Sequence, residues 1–292
     1  MDEALARRIV EISGARGLGR VQDVARLWGG YGRILRAELD GGPVETVVVK
    51  VVQPPPARPG RDARGDARKR RSYDVELAWY RAWASRCDGH PRVARAYGAE
   101  RVGDGWLFVL EDLDAAGYPG RLRGRAPREL DACLGWLAAL HARFLGEAPT
   151  GLWPVGTYWH LATRPDELAR MRDRDLARAA PELDRRLSGA RHRTVVHGDA
   201  KPENFCAAKD GAVAAVDFQY AGGGVGSKDV AYLLHGLPER AEAAARDLYF
   251  ELLDVELARR ADVDRRAVVD EWRELYPLAR ADFERFLDGW AG

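Results

Sequence analysis

Between Val195 and Ala221 the chain reads VVHGDAKPENFCAAKDGAVAAVDFQYA, two short apolar strands that each end in polar residues. The first delivers His197, Gly198 and Asp199, with Asn204 five positions after the aspartate; the second delivers Asp217, Phe218 and Gln219. This layout suits phosphoryl transfer from ATP to a hydroxyl. Such a nucleophile needs one carboxylate to orient it and accept its proton. The γ-phosphate needs Mg2+, a hard cation held by oxygen ligands, to neutralise charge on the equatorial oxygens. Asp199 is placed to be the base, with Asn204 and Asp217 as the metal ligands.

Other elements must hold ATP against these groups. Glu45 to Val52, ETVVVKVV, reads as a buried strand carrying Lys50. Burying an unpaired ammonium is costly, so Lys50 either snorkels from an edge strand or contacts the α and β phosphates beside a glutamate. The periodicity of Ser72 to Ala84 predicts the next helix, with Ser72 as N-cap; Glu76 is the partner and Asp74 the fallback. Upstream, Gly29, Gly30 and Gly32 sit between two predicted strands, where backbone N–H groups reach phosphates without a Cβ in the way. Most glycine hairpins are only turns; this one gains weight from the lysine strand that follows.

The strings HGDAKPEN and DFQ resemble the protein-kinase signature H-R-D-x-x-x-x-N followed by D-F-G. Glycine after the histidine is similar to the small-molecule kinases of the aminoglycoside phosphotransferase and choline kinase superfamily. HGDAKPENF and VDFQYAGGG look closest to bacterial relatives of ecdysteroid kinases. The resemblance implies an α+β, two-lobed protein kinase-like fold, with a sheet-bearing lobe over residues 1–112, a mainly helical lobe over 113–292, and ATP between them. It implies that Glu111 and Leu113 contact the adenine edge where the chain crosses lobes. His197 would support the catalytic loop, Lys201 would neutralise the transferred phosphate, and Asp229 would brace the loop from the head of the next helix while also serving as N-cap. Gln219 in place of the last glycine of D-F-G argues against a mobile metal-binding flap.

Bulk properties narrow the rest. Forty-six basic and 45 acidic side chains in 292 residues leave a formal charge of +1, without the basic excess of a nucleic-acid binder. Cys87, Cys133 and Cys206 lack the spacing of a zinc site or disulfide framework. No apolar run is long enough to span a membrane, and the N-terminus has no signal-peptide h-region; a cytoplasmic monomer or homodimer is expected. Pro54 to Arg71 reads as a solvated loop or disordered insert in preference to one whose arginine-rich end contacts an anionic substrate or partner, 129–145 and 167–187 as amphipathic helices with His141 as a packing residue, and the stretch after Pro238 as about three helices. Gly222 to Lys228 lacks the spacing of a phosphate loop.

The acceptor is a small-molecule hydroxyl. A choline-like acceptor wants an aromatic cage, for which Trp153, Tyr158, Trp159, Trp272 and Tyr276 are candidates. An aminoglycoside wants an acidic cleft, for which Asp270, Glu271, Glu274 and Asp282 are candidates too mixed with arginine to insist on. A hydrophobic alcohol wants an apolar pocket. The alternative to catalysis is a kinase-fold protein that binds a nucleotide or metabolite without turnover; such a binder would be expected to have lost one of Lys50, Asp199, Asn204 or Asp217. A protein kinase is a lesser alternative, since no Ala-Pro-Glu segment follows Asp217.

Overall fold

The computed structural model describes residues 2–56, 62–87 and 89–291. Alternation of apolar residues decides the first layer. Helix α1 (Glu3–Ser13) starts where the Asp2 side chain accepts from the Leu5 N–H. Strands β1 (Gly17–Arg26), β2 (Gly32–Asp40) and β3 (Thr46–Val52) follow, and β4 (Ala96–Val102) and β5 (Gly105–Glu111) complete an antiparallel sheet of order β1-β2-β3-β5-β4. Side chains two apart share a face. Val47, Val49 and Val51 therefore pack with Leu35, Ala37 and Ile9 on the α1 side, while Val48, Lys50 and Val52 turn the other way. β3 lies between β2 and β5, so the snorkelling edge-strand reading of Lys50 fails.

Helix α2 (Ala63–Ala78) is longer than its periodicity suggests and continues through a π turn at Trp79–Trp83. Ser72 is therefore a mid-helix residue and not the N-cap; its Oγ donates to the Lys69 carbonyl at 2.7 Å and to Gln219 Oε1 at 3.1 Å. Much of the expected loop at 54–71 is helix, because arginine, lysine and alanine are good helix formers whatever their charge. Residues 57–61 of that loop lie outside the described residues.

Beyond β5 the chain turns mainly helical. After β6 (Gly120–Arg121) comes α3 (Pro127–Arg143). The single helix expected at 167–187 is two, α4 (Pro165–Arg170) and α5 (Arg174–Ser188), broken at Met171. Asp173 caps the second helix, and Asp288 accepts the Arg172 and Asp173 N–H groups at the break. The short strands β7 (Thr194–Val196), β8 (Phe205–Ala207), β9 (Val213–Ala215) and β10 (Gly222–Gly224) carry the polar loops. Helices α6 (Ser227–Leu234), α7 (Glu239–Leu257) and α8 (Arg265–Trp290) close the structure. Two helices, not three, follow Pro238, because α8 runs straight past Pro277. One apolar core joins the cleft face of the sheet (Val52, Phe108) to the helices (Leu134, Trp272) and to Phe218 in the loop after β9.

Candidate active site

The HGD loop is held by a buried carboxylate beneath it. β7 pairs with β10, which brings α6 and its Asp229 under the end of β7. Asp229 accepts the His197 N–H at 2.6 Å and the Gly198 N–H at 2.9 Å, and its Oδ2 lies 3.1 Å from His141 Nε2. Burial alone would push this carboxyl up; its histidine and amide partners outweigh that and hold it below the usual range. Asp229 thus braces the loop as expected, but Gly226 is the cap position of α6 and Asp229 lies in its first turn. His141 is a packing residue, also bonded to the Tyr249 hydroxyl. Gly198 has φ +79, and a Cβ there would lie 2.1 Å from the Tyr220 carbonyl oxygen. Backbone geometry therefore demands glycine between the histidine and the aspartate.

His197 is buried, and desolvation holds its imidazole below the usual value. A neutral ring donating from Nε2 to the Val216 carbonyl (3.0 Å) and accepting the Asp199 N–H at Nδ1 (3.3 Å) ties the two strand ends together. Asp199 faces a pocket. Burial raises its carboxyl to about 6, with Asp217 adding to the rise and Lys201 and Asn204 opposing it. Lys201 Nζ lies 3.2 Å from Asp199 Oδ2, the Asn204 amide donates to the same oxygen at 3.0 Å, and the Tyr232 hydroxyl approaches Oδ1 at 3.3 Å.

Asp217 has φ +67, a left-handed backbone rare outside glycine and costly for it. Lys50 Nζ lies 3.7 Å from Asp217 Oδ1 and 2.7 to 2.8 Å from both oxygens of Glu76. Glu76, not Asp74, is the partner; Asp74 instead accepts from the Trp106 indole. Burial opposes the Lys50 charge, but the two carboxylates outweigh it and hold the ammonium above its usual range. They in turn see cations: burial raises Asp217, while Lys50 and Lys69 draw it below the usual range. Gln219 pins the arrangement, donating to Asp217 Oδ1 at 2.6 Å and accepting from Lys69 Nζ at 2.7 Å and from Ser72. The residue replacing the D-F-G glycine fastens Asp217 to α2.

Around these groups are two adjoining cavities. One, of about 360 Å3, is lined by Lys50, Glu76, Asn204 and Asp217 and by the stretch from Leu110 to Leu113. Glu111 and Leu113 are thus on its wall; the Glu111 side chain pairs with Arg92 at 2.6 Å and accepts the Arg95 N–H. The other, of about 660 Å3, is lined by Asp199 and Lys201 and by Lys69, Arg164, Tyr158 and Tyr232. Trp28, 82% exposed at the tip between β1 and β2, borders both. The glycines divide: Gly29 lines the second cavity, whereas the Gly30 N–H donates to the Leu27 carbonyl at 3.3 Å. Gly32 has φ +137 and a Cβ there would meet the Val51 carbonyl at 2.0 Å, so strand pairing requires that glycine.

The residues fit a nucleotide and a divalent cation. The Asn204 amide nitrogen is engaged by Asp199, which leaves its oxygen as the ligating atom. One carboxylate and one amide oxygen suit Mg2+, which keeps waters and phosphate oxygens for its other positions. Several expected pieces are not brought together. Trp159, Trp272 and Tyr276 are core residues, and Trp153 donates its indole N–H to the Gln219 carbonyl. Asp282 is buried against Lys228 (3.1 Å) and Arg285, and Glu271 holds His192. Lys228 is accordingly no phosphate-loop lysine. Missed by sequence reading were Lys69, Arg68, Arg164, Tyr220, Phe286 and Trp290. Lys69 carried a signal, as one of five lysines among many arginines, and Arg68 another, as part of the arginine-rich end of 54–71 that could contact an anion.

A five-stranded antiparallel sheet set over a helical lobe, with a buried lysine–glutamate pair facing two strand-end aspartates, defines a two-lobed protein kinase-like fold. Residues 21–269 match the model of the phosphotransferase enzyme family, and the chain belongs to that family. Three solved structures share the fold at low identity. An amicoumacin kinase in complex with AMP-PNP and Ca2+ has a TM-score of 0.53 at 15% identity, over 98% of this chain and 86% of that one. The choline kinase of Streptococcus pneumoniae scores 0.52 at 14%, over 99% of both chains. A spectinomycin phosphotransferase in complex with ADP and spectinomycin scores 0.54 at 9%, over 97% and 99%. No curated protein matches the sequence closely enough to refine this.

Proposed function

We propose that the protein is an ATP- and Mg2+-dependent O-phosphotransferase acting on a hydroxyl of a small molecule. The observation that carries the reading is Asp199: a buried carboxylate raised to about 6, facing the larger cavity, with the Lys50–Glu76–Asp217 cluster behind it in the smaller one. The triphosphate would lie along Lys50 and the turn at Gly29, with adenine against Glu111 to Leu113. Asn204 and Asp217 would hold Mg2+, which when bound neutralises phosphate charge.

Asp199 orients the acceptor hydroxyl and takes its proton. The acceptor oxygen bonds to the γ-phosphorus as the bond from that phosphorus to the β,γ-bridging oxygen breaks, and ADP leaves with that electron pair. Lys201, beside Asp199, faces charge that builds during transfer. His197 and Asp229 hold the loop and move no proton. We take the lobe boundary at residue 112, just past the end of β5 at Glu111, where Asp112 is tied back to Arg36 of β2. The ecdysteroid kinase-like strings favour an acceptor with an apolar body.

The test is Mg2+-dependent ADP release over a panel of alcohols, repeated with Asp199→Ala and Asp217→Ala. Release stimulated by an alcohol and lost in both variants supports the reading. ADP release unaffected by Asp199→Ala with a true acceptor removes Asp199 as base.

A further inference from the structure

We propose that the cavity beside Asp199 is built for an acceptor alcohol that carries a carboxylate or phosphate group on an apolar, planar body, with Arg164 and Arg68 as its anion-reading pair. This rests on the acceptor site lying next to Asp199.

The aromatic cage that a quaternary ammonium would need is already filled by the protein's own cation. The Arg164 guanidinium lies 5.8 Å from the Tyr158 ring, 5.4 Å from Phe286 and 5.8 Å from Trp290. It is 6% exposed, and it donates from Nε to the Tyr158 carbonyl at 2.6 Å and from Nη1 to Glu167 at 3.1 Å. Its Nη2 has no hydrogen-bond partner among the described residues. A second guanidinium stands close by: Arg68 of α2 donates from Nη1 to the Thr163 carbonyl at 2.9 Å, and none of the described carboxylates pairs with it.

Burial, and after it the nearby Arg68, disfavour the Arg164 charge, and both guanidiniums act on the Tyr220 hydroxyl. Lys69 adds a third cation in the same wall, bonded to Gln219 and paired with none of the described carboxylates. Of the four carboxylates that line the cavity, Glu167 answers Arg164, Asp66 answers Arg70 and Asp199 answers Lys201. Asp62 is exposed at the start of α2.

Crowded guanidiniums with an unused donor on a cavity wall are what a planar anion satisfies with charge-assisted bonds. A polycationic acceptor would meet the same groups as repulsion. Tyr158, Tyr220, Tyr232, Phe286 and Trp290 supply the flat apolar wall for the rest of the molecule.

Calorimetry on the full chain, with AMP-PNP and Mg2+ present to fill the nucleotide side, tests this. The probes are para-(hydroxymethyl)benzoate, para-(hydroxymethyl)phenyl phosphate, neutral benzyl alcohol and para-(hydroxymethyl)phenyl-trimethylammonium. At least one anionic probe is expected to bind about tenfold or more tighter than benzyl alcohol, and the tighter of the two identifies the anion. Arg68→Met and Arg164→Met should each reduce that preference, with Arg164→Lys restoring part of it. Arg68, on the half-exposed face of α2, carries the test if Arg164→Met does not fold. Equal or tighter binding of the neutral or ammonium probe, no binding of any probe, or a preference unchanged in the variants overturns the proposal. So does loss of the Mg·ATP thermal shift in Arg68→Met, which would place that arginine on the nucleotide. A wild-type protein that prefers anionic probes yet shows no Mg·ATP shift would leave the anion site standing and sink the phosphotransferase reading instead.

Discussion

The two adjoining cavities are assembled on different principles. On the nucleotide side, polar groups meet in tight pairs: Lys50 with Glu76, Asn204 with Asp199, Gln219 with Asp217. On the acceptor side, rings from the segment at 158, from Tyr220, from α6 and from α8 form a wall, and two arginines stand in it with one carboxylate between them. On the proposed reading, the first arrangement would answer a fixed chemistry, since triphosphate and Mg2+ need the same donors in every acceptor context. The second would answer the shape and charge of one class of molecule. Function within a shared fold is carried by such sites and not by the fold.

Breaking the reacting carboxylate between the two cavities, or the nucleotide side behind it, should give the larger effects. Asp199→Ala is expected to lower turnover by about 100- to 10,000-fold, the range of a lost general base, with Mg·ATP binding largely kept; steady-state kinetics beside a thermal-shift titration checks both. Asp217→Ala should remove the Mg2+-dependent part of ATP binding. Lys50→Met strands Glu76 in a buried site and should destabilise the fold by about 3 kcal/mol. Adding Glu76→Gln to it should recover much of that loss in chemical denaturation. Gln219→Gly frees Asp217 from α2 and should weaken Mg·ATP binding by about tenfold, the scale of one hydrogen bond to a charged group.

The smallest effect is in pH. Asp199 accepts a proton only when ionised, so kcat/KM, which reports the free enzyme, should fall as pH drops through about 6. Lys201 opposes the rise of this carboxyl, so Lys201→Met should move the acid limb upward by roughly half a unit to one unit. Stability runs the other way. The fold favours protonated Asp199, so its contribution is full below the unfolded carboxyl's value and is lost as pH rises through about 6. Asp199→Asn should therefore be the more stable protein at neutral pH while being inactive, which melting curves across pH 5 to 8 would show.

What the sequence disclosed follows the same division. HGDAKPEN and VDFQ are short segments whose spacing places each polar residue at a strand end, and Lys50 stands out because a valine run surrounds it. Those signals are local, and the structure gathers their residues at one cleft. Helix α2 was legible only from Ser72 onward, because charge and glycine mask the helical propensity of residues 63–71. Arg68 and Lys69 stood out there by charge alone, with nothing to place them on a helix facing the cavity. Arg164, Phe286 and Trp290 are unreadable for another reason: they meet through α8 folding back over α4 across more than a hundred residues, and no single segment records that contact. Asp229 lay between the two cases, since its place in the chain was visible but its bonds to His197 and Gly198 needed β7 and β10 to pair.

One measurement tests the centre of the account: a thermal-shift titration with ATP, with and without Mg2+, on the wild-type protein and on Asp217→Ala. At about 100 times its dissociation constant, a ligand that binds only the folded state should add roughly 2.7 kcal/mol. The account predicts such a rise in the wild type, dependent on Mg2+ and absent from the variant. No rise with ATP or GTP, or an equal rise in both proteins, would contradict the assignment of Asp217 and the nucleotide cleft with it.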